Sequence, residues 1–488
     1  MKILFIHYNE YLHIGIPTGI ACLSAILKQE GHEIELFDST FIKTKQTSKA
    51  SNTGPSTFKP TDYTLEDLVE NDPVTNIEDE FKEKLKIFNP DLIAVSVMTG
   101  FFDQVIDLLK AVPPNCQVIL GGVHPTISPN KTLAKDEVDF ICVGEGEELL
   151  IELAEALKNN KDYSKIRNLG YKKNEYCIIN SQRPFIDMNQ LPAPDWSLFD
   201  ERHLFRPYLG NIYKGSFIVQ SRGCPAKCTY CVNSSLRAAQ KKCGQYYRVQ
   251  SPATTILHLS TLKEKHGATW FKFADDSLMI NRLAHLEELA DGLEPLDIKF
   301  GCSIRPETVK EEKIKLLKRM GMVAASVGIE SGNETIRRDI LGRKGSNDLI
   351  KNAIELLNKH DIRVSTFNMI GLPGETRNNI FETIKLNKEL HVEANNVYIV
   401  YPYPGTPLSL KYNINLYDQK GKLIPVSKAS SFELSKISRK EVEGLLKTFE
   451  LYVRLPNKMW PIVELAEGES STAKKLQTKL QDYLLENC

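Results

Sequence analysis

Short apolar strands that alternate with amphipathic helices most constrain what this chain can fold into. The first alternating series covers residues 1 to about 160 and opens with the strand KILFIH, the helix PTGIACLSAILKQEG and the strand HEIELFD. Three more strands follow, DLIAVSV, QVILGG and DFICVG, with helical stretches around them. Parallel strands need long crossover connections, which are usually helices. The five strands therefore predict an α/β fold with a parallel, doubly wound sheet.

A second alternating series follows a connector. Its six predicted strands are SFIVQS, TWFKFAD, IKFGCSIR, VAASVGIE, IRVSTFNMI and NNVYIV. Six βα units are fewer than the eight of a closed barrel, so a partial (β/α)6 barrel of the TIM type is expected. We predict a first domain at 1–160, a connector at 161–212, the partial barrel at 213–415 and a mostly helical C-terminal cap at 416–488. A polar stretch at 44–62 is predicted to be a surface insertion.

Composition excludes several classes of protein. The 62 basic residues balance 62 acidic ones, so no strong overall field attracts nucleic acid or an anionic membrane. No apolar run approaches the ~20 residues of a membrane span, and the N-terminus lacks the pattern of a secretory signal. We expect a cytoplasmic protein with no nucleic-acid partner and no integral membrane association.

Three cysteines stand together in CPAKCTYC: Cys224, Cys228 and Cys231. In a reducing compartment such a cluster favours metal or catalysis over disulfides. An iron-sulfur cubane has four irons, so three thiolates leave one iron open. A structural zinc site with Cys243 as fourth ligand is the alternative, although the Cys-x3-Cys gap fits a zinc ribbon poorly. The position after the first strand of the second series, where barrels perform chemistry, favours the cluster.

The motif CPAKCTYC after SFIVQSRG resembles the signature of the radical S-adenosylmethionine (radical SAM) superfamily. The resemblance extends in order through FADDSLMIN, CSIRPE, SVGIESGNE, FNMIGLPGET and YPYPGTPL, over about 200 residues. It implies that the three cysteines bind a 4Fe-4S cluster. The amino and carboxylate groups of SAM would then chelate the fourth iron.

The same resemblance implies further contacts with SAM. Tyr230 is similar to the aromatic residue that lies against the cluster and the adenine, a role compatible with simple packing. Arg305 and Glu330 follow predicted strands, where a guanidinium could grip the SAM carboxylate and an acid its ammonium or ribose hydroxyls. A structural ion pair is the alternative for both.

Four other residues near strand ends are weaker candidates. Of Asp275 and Asp276, at least one is expected to face the site, while the other could cap the following helix. Tyr401 and Tyr403 are expected to line the substrate cavity.

The N-terminal half resembles the cobalamin-binding domain that precedes the barrel in one large radical SAM subfamily, which implies a Rossmann-like, flavodoxin-like fold. Its recurring segments include PDLIAVSV, VILGGVHPTISPN and VDFICVGEGEE. The Asp-x-His-x-x-Gly motif that supplies a histidine to cobalt elsewhere is absent. A degenerate domain without cofactor is the alternative. The candidate cobalamin-binding residues are Gly15, Pro17, Gly19, Ser96, Thr99, Gly121, Gly122, His124, Gly144 and Glu145.

His124 has two interpretations. It could ligate cobalt, or it could shape the loop around the corrin ring. The resemblance favours the second role, because the family keeps this segment without using it as a ligand.

The resemblance implies an enzyme with three cofactors: a 4Fe-4S cluster, SAM and cobalamin. A 5'-deoxyadenosyl radical would take a hydrogen from an unactivated carbon, and methylcobalamin would give that carbon a methyl group. The expected activity is C-methyl transfer. A cobalamin-dependent cyclase, oxidase or ring-rearranging enzyme without net methyl transfer is the alternative, and a non-catalytic cobalamin sensor is a third. The expected partners are a small-molecule or peptide substrate and a reductant such as flavodoxin or ferredoxin.

Overall fold

The computed structural model describes residues 1–47, 65–418, 422–424, 432, 434 and 436–487. These residues fall into two compact units. The first unit holds most of the chain up to Lys272. The second holds Ala226–Ser234 and the chain from Phe273 onward. The predicted insertion at 44–62 lies mostly outside the described residues.

A seven-stranded sheet forms the centre of the first unit, with strand order β2-β1-β3-β4-β5-β6-β7. Strands β1 to β5 pair in parallel, whereas β6 and β7 pair antiparallel at the edge. The predicted parallel sheet is confirmed, and the order 2-1-3-4-5 is that of flavodoxin-like sheets. The seven strands are β1 (Lys2–His7), β2 (Glu33–Asp38), β3 (Leu92–Ser96), β4 (Gln117–Gly121), β5 (Phe140–Cys142), β6 (Leu169–Lys173) and β7 (Tyr176–Ile179).

Six helices accompany this sheet, and local sequence explains their ends. The Asn76 side chain accepts a hydrogen bond from the Glu78 N–H at the start of α2, and Asn89 ends that helix in a left-handed conformation. Helices α4 and α5 were not predicted, because GGVHPT was interpreted as a loop. The helices are α1 (Thr18–Gln29), α2 (Ile77–Phe88), α3 (Phe102–Leu109), α4 (Val123–Ile127), α5 (Pro129–Leu133) and α6 (Glu147–Lys158).

A second sheet has six strands in the order β10-β13-β14-β15-β16-β17, and β8-β9 and β11-β12 form separate pairs. The predicted strand SFIVQS is in fact two short strands, β10 and β11, which belong to different sheets. The other five strands of the second series are confirmed. The strands are β8 (Phe205–Tyr208), β9 (Asn211–Lys214), β10 (Phe217–Ile218), β11 (Ser221–Arg222), β12 (Arg248–Val249), β13 (Trp270–Phe273), β14 (Lys299–Ile304), β15 (Met322–Glu330), β16 (Arg363–Ile370) and β17 (Ala394–Ile399).

Helices follow the strands of this second series and continue to the C-terminus. Capping boxes start α12 at Thr376 and α14 at Ser438, where side chain and backbone satisfy each other's hydrogen bonds. The C-terminal helices share an apolar core with α12, centred on Phe449 and Tyr452. The helices are α7 (Val232–Ala239), α8 (Pro252–His266), α9 (Leu283–Leu293), α10 (Glu311–Arg319), α11 (Asn347–Lys359), α12 (Arg377–Leu390), α13 (Pro407–Lys411), α14 (Arg439–Arg454), α15 (Trp460–Leu465) and α16 (Ser471–Asn487).

Within the described ranges, no helix is both long and apolar enough to cross a lipid bilayer.

Candidate active site

The three cysteines occupy one loop between β11 and α7. Cys224 and Cys228 are buried, whereas Cys231 is partly accessible. The Ser234 hydroxyl donates to the Cys228 carbonyl at 2.9 Å, and the Arg237 guanidinium donates to the Cys224 carbonyl. Side chains at the start of α7 therefore fix the backbone of the loop that carries the thiols.

Thr229 ties the middle of this loop to the segments that follow β15 and β17. Its N–H donates to the Leu341 carbonyl at 3.1 Å, and its carbonyl accepts from the Leu408 N–H at 2.9 Å. Its hydroxyl donates to the Ile340 carbonyl at 2.5 Å. These bonds hold the backbone immediately after Cys228 in a set position.

Two side chains direct N–H groups at the cysteine sulfurs. Arg305, just after β14, places NH1 3.1 Å from Cys228 Sγ. Asn233 places Nδ2 3.6 Å from Cys231 Sγ. Hydrogen bonds from N–H groups stabilise the charge of thiolates, and they are among the factors that tune iron-sulfur clusters.

A buried group of Tyr230, Glu330 and Arg343 lies next to the loop. Glu330 Oε1 accepts from Tyr230 OH at 3.0 Å and from Arg343 NH1 at 2.9 Å. Burial raises the pKa of the Glu330 carboxyl, and the charge of Arg343 and the Tyr230 hydroxyl counteract this. Burial and the neighbouring Glu330 raise the pKa of the Tyr230 phenol. Glu330 is thus in direct contact with Tyr230 of the cysteine loop, while its predicted contact with SAM stays a prediction.

The backbone at the end of β15 is built around this group. Glu330 has φ +68°, a left-handed conformation that is uncommon for residues other than glycine, and the register with β16 shifts between Gly328 and Glu330. A Cβ at Gly328 would lie 2.6 Å from Glu330 Oε1 and 2.9 Å from Arg343 NH1. Glycine at 328 therefore provides the space in which the carboxylate meets the guanidinium.

Glu307 links the two arginines of the site. It forms an ion pair with Arg305 and lies 3.4 Å from Arg343 NH2. Sequence reasoning did not identify Glu307 or Arg343. Their one visible signal was position: Glu307 is the last residue of the CSIRPE segment, and Arg343 follows Gly342 in LGRKG. The alternative of an ion pair for Arg305 is observed, together with its contact to Cys228.

The two aspartates after β13 differ in their surroundings. Asp276 accepts from Asn233 Nδ2 at 3.0 Å, which connects it to the cysteine loop. Its carboxylate is accessible, yet the surrounding protein raises its pKa through desolvation. Asp275 is 3% exposed and points away from solvent. The N-cap residue of α9 is Arg282, so neither aspartate occupies that position.

The two tyrosines after β17 form an edge-to-face pair with ring centroids 5.0 Å apart. Tyr401 is buried, and its hydroxyl donates to the Ile424 carbonyl at 3.1 Å. Tyr403 retains some exposure. The structure thus gives Tyr401 a packing role, and only Tyr403 keeps surface that a ligand could contact.

In the first unit, the glycine loop after β1 packs against protein. A Cβ at Gly15, where φ is +150°, would lie 2.1 Å from the Phe217 ring. The Gly15 N–H donates to His203 Nδ1 at 3.0 Å, and His203 Nε2 lies 2.7 Å from Asp38 Oδ2. Gly15 is therefore required by Phe217 rather than by open space for a ligand.

His124 lies inside α4 and has no solvent exposure. Its Nδ1 lies 3.2 Å from the Thr99 hydroxyl, and its ring centroid is 4.1 Å from that of Phe102. Burial lowers its pKa to about 4, so the imidazole is neutral. In the described part of the chain its Nε2 has no hydrogen-bond partner. These contacts fix the ring between Thr99 and Phe102, and the predicted role of His124 in shaping the loop around the corrin stays a prediction.

Glu145 forms ion pairs with two arginines. Its Oε1 lies 2.8 Å from Arg222 NH1 and 2.7 Å from Arg248 NH2, and its Oε2 accepts the Ile186 N–H. Burial alone would raise the pKa of this carboxyl, but Arg222 and Arg248 hold it below its ordinary value. Arg222 precedes the cysteine loop by two residues, so Glu145 anchors the chain that leads into that loop.

The remaining candidates of the first unit differ in the space around them. Gly19 and Ser96 are exposed, and a Cβ at Gly19 would meet no atom within 4 Å. A Cβ at Gly122 would come within 3.1 Å of Ser96 Oγ and the Val97 backbone. A Cβ at Gly144 would lie 2.9 Å from Gln240 Oε1. Pro17 is the N-cap residue of α1, and Gly121 ends β4.

The donor set of the loop fits an iron-sulfur cluster. Three thiols within eight residues, two of them receiving N–H donors, supply the ligands that such clusters use. Cys243, the fourth ligand of the zinc alternative, instead lies 3.5 Å from Gln182 Oε1. In the described ranges no three His, Cys, Asp or Glu side chains are grouped to hold a single metal ion. A cubane does not need such a group, because each thiolate binds a different iron.

Comparison with known proteins agrees with this geometry. Residues 218–386 match the Radical SAM superfamily, and residues 62–154 match the B12 binding domain. An uncharacterized methyltransferase of Pyrococcus horikoshii is 26% identical over 87% of this chain and 86% of its own length. The anaerobic magnesium-protoporphyrin IX monomethyl ester cyclase of Cereibacter sphaeroides is 27% identical over 86% of this chain, which spans 65% of that cyclase.

A solved structure gives the same fold. The chain superposes on the radical SAM methyltransferase TsrM of Kitasatospora setae, solved with cobalamin and a [4Fe-4S] cluster bound, with a TM-score of 0.70 and 14% identity over 99% of both chains. The fold is mixed α/β with a parallel sheet in the B12-binding part. The two matches identify a radical SAM domain and a B12 binding domain in one chain, which make it a cobalamin-dependent radical SAM enzyme with a 4Fe-4S cluster, SAM and cobalamin as cofactors.

Proposed function

We propose that the protein is a C-methyltransferase that acts on an unactivated carbon of a small-molecule substrate. The observation that carries the proposal is the continuous contact from Cys228 through Arg305 and Glu307 to Arg343 and Glu330. A cysteine loop joined to a buried carboxylate and a buried guanidinium can bind a zwitterionic cofactor such as SAM. The match to a B12 binding domain adds the methyl carrier.

The bound cofactors would supply a 5'-deoxyadenosyl radical for hydrogen abstraction and a methyl group on cobalamin. Cys224, Cys228 and Cys231 would hold the cluster. Glu330 presents its carboxylate to a cationic or hydroxyl group of SAM, while Arg343 and Tyr230 fix its orientation. Arg305 stabilises the charge on Cys228, and its guanidinium would also bind the SAM carboxylate.

The cobalamin site is proposed at the carboxyl ends of β1, β3 and β4. The exposed Gly19 and Ser96 leave room for a large ligand there, and Gly122 keeps the backbone open beside Ser96. His124 is buried and neutral, so we assign it the role of supporting this backbone from beneath. Ligands of open α/β sheets bind outside the carboxyl ends of the strands, which agrees with this placement.

A cyclase or oxidase without net methyl transfer is the second candidate. It is favoured by one observation, the similarity to the magnesium-protoporphyrin cyclase over most of this chain. The two candidates differ in a product: methyl transfer converts a second SAM to S-adenosylhomocysteine, and cyclisation does not.

Several finer assignments also remain proposals. We propose a cytoplasmic enzyme, since nine described cysteines are free thiols, as expected in a reducing compartment. A flavodoxin or ferredoxin would supply the electron for the cluster. We also propose the domain limits 1–160, 161–212, 213–415 and 416–488, and a partial barrel for the second sheet. The basis for both is the alternation of predicted strands and helices along the sequence.

Anaerobic reconstitution tests the proposal. The full-length protein is loaded with iron, sulfide and hydroxocobalamin, desalted, and analysed for metals and for products from SAM under reducing conditions. We expect about four irons and one cobalt per chain, formation of methylcobalamin and release of S-adenosylhomocysteine. Cys228→Ala should lose iron and SAM cleavage but keep cobalt.

Each other outcome has a defined meaning. Iron without cobalt would overturn the methyl-transfer proposal. Both metals with 5'-deoxyadenosine but no S-adenosylhomocysteine would favour the cyclase candidate. If Cys228→Ala kept SAM cleavage, the cluster assignment itself would be wrong.

A further inference from the structure

We propose that one face of strands β14 to β17 binds the substrate, and that the substrate carries a flat aromatic or heteroaromatic ring. The ring would extend the stack formed by Phe367 on β16 and Tyr398 on β17. The centroids of these two rings are 6.1 Å apart, and their planes are inclined by 27°. This inference rests on the proposed function, because it takes the cysteine loop as the reacting centre.

The face is defined by the alternation of side chains along each strand. Side chains of successive residues point to opposite sides of a sheet. One side is closely packed, with Cys302, Val327 and Val397 buried. The other side is only partly covered. This second side, the open face, includes Ser303, Ser326, Gly328, Ser365, Phe367 and Tyr398.

Exposure of the aromatic pair argues against simple core packing. Tyr398 is 50% exposed although it lies within a strand, and Phe367 is also partly exposed. Exposure of an aromatic ring to water is unfavourable in free energy, and such rings prefer to stack with an offset on another ring. A flat ligand ring would cover this surface and continue the existing stack.

Small hydroxyl side chains lie beside the rings. Ser303, Ser326 and Ser365 are in register across three adjacent strands, so they form a row. Ser365 Oγ lies 3.3 Å from Ser326 Oγ. Because serine side chains are small, the row leaves space next to the ring pair. Its hydroxyls can form hydrogen bonds with a polar edge of the ligand ring.

The open face reaches the cysteine site. Gly328 pairs with Phe367 in the register, and Arg305 follows Ile304, which pairs with Val327. Neighbouring strands are about 4.8 Å apart, so the Cα atoms of Phe367 and Arg305 are roughly 10 Å apart. Arg305 contacts Cys228. A ring stacked on Phe367 therefore lies within one small molecule's length of the loop that would hold the cluster.

The test uses two neutral probes of similar shape, 2-naphthamide and its saturated counterpart decalin-2-carboxamide. Their affinities for the full-length, reconstituted protein are measured by equilibrium dialysis with SAM present. A stacking contribution of roughly 0.5–1.5 kcal/mol corresponds to a preference of about two- to twelvefold for the aromatic probe. We expect this preference in the wild type and its loss in Phe367→Leu and Tyr398→Leu, which keep apolar volume but remove a ring.

A matched control is Tyr176→Leu, which removes an exposed tyrosine from β7 in the first unit. It should keep the preference. Equal affinity of the wild type for the two probes, or a preference that persists in both leucine variants, would overturn the inference. A loss of SAM affinity in the leucine variants would also overturn it, because the rings would then hold the adenine.

Failure of the proposed function and failure of this inference give different results in these measurements. Probe binding needs no turnover and is repeated on protein without cobalamin. If the ring preference is present but neither S-adenosylhomocysteine nor 5'-deoxyadenosine forms, the proposed function falls and the ring-binding face stands.

Discussion

The Arg305 guanidinium donates a hydrogen bond to the sulfur of Cys228, with 3.1 Å between NH1 and Sγ. Burial alone would lower the pKa of this guanidinium, but the charges of Cys228 and Glu307 help to raise it above its ordinary value, and Arg343 opposes them. Arg305 is therefore a cation held against a cluster ligand. Cationic donors to sulfur favour the reduced, more negative state of an iron-sulfur cluster.

Arg305→Met should keep the cluster but make it harder to reduce. Methionine retains an apolar stem and removes the donor. A charged hydrogen bond is worth roughly 1.5–3 kcal/mol, so the potential should fall by at most about 130 mV at 59 mV per tenfold change in equilibrium constant. Redox titration followed by electron paramagnetic resonance measures the shift, and the rate of SAM cleavage should fall at least tenfold.

Arg319→Met is the matched control for this change. Arg319 pairs with Asp291 and Glu294 at the surface of the second unit. Its replacement should leave the potential and the iron content unaltered. Equal potentials in Arg305→Met and the wild type would show that the contact with Cys228 does not tune the cluster.

Gly328→Ala should weaken SAM binding while the fold is retained. The added Cβ would lie 2.6 Å from Glu330 Oε1 and 2.9 Å from Arg343 NH1, so the carboxylate and the guanidinium must both move from their present positions. Isothermal titration should show at least a tenfold loss of SAM affinity. Gly345→Ala, where the nearest atom would be Leu349 Cδ2 at 3.9 Å, should bind SAM normally. Normal affinity in Gly328→Ala would remove Glu330 from the SAM site.

Local patterns predicted much of this fold. Alternation of strands and helices located β1 to β5 and β13 to β17, because hydrophobic periodicity is a local consequence of which face is buried. The cysteine trio was visible from its spacing, and Glu330 from its place at a strand end. Neither pattern predicted the contact between Glu330 and Tyr230.

Contacts between distant segments could not be predicted in this way. Arg343 reaches Glu330 only because Gly342 turns the chain with φ +67°, and no periodicity marks that arginine. Gly15 resembled an opening for a ligand, yet its space is filled by Phe217, 202 positions later. A sequence pattern shows that glycine is needed, but not which atom approaches it.

Gly321→Ala should be strongly destabilising. Gly321 has φ +100°, and a Cβ there would lie 1.9 Å from the Ile298 carbonyl oxygen. We expect a loss of at least about 3 kcal/mol in the free energy of unfolding, since conformational strain adds to a backbone clash. Gly267 also has a positive φ of +66°, but a Cβ there would meet no atom within 4 Å, so an alanine adds conformational strain without a clash. Gly267→Ala should therefore lower the free energy of unfolding by only about 1 kcal/mol. Similar urea midpoints for the two variants would contradict this explanation.

Glu375 should make stability depend on pH between about 4.5 and 8. Its Oε2 accepts the Gly371 and Leu372 N–H groups, and burial raises its pKa to about 8. The folded state thus holds a proton that the unfolded state has released in this range, so stability is highest below the unfolded pKa and is lost as pH rises through 8. Glu375→Gln keeps an acceptor for both N–H groups and cannot ionise. Its urea midpoint should change less than that of the wild type between pH 5.5 and 8.5, and parallel curves for the two proteins would assign the pH dependence to other groups.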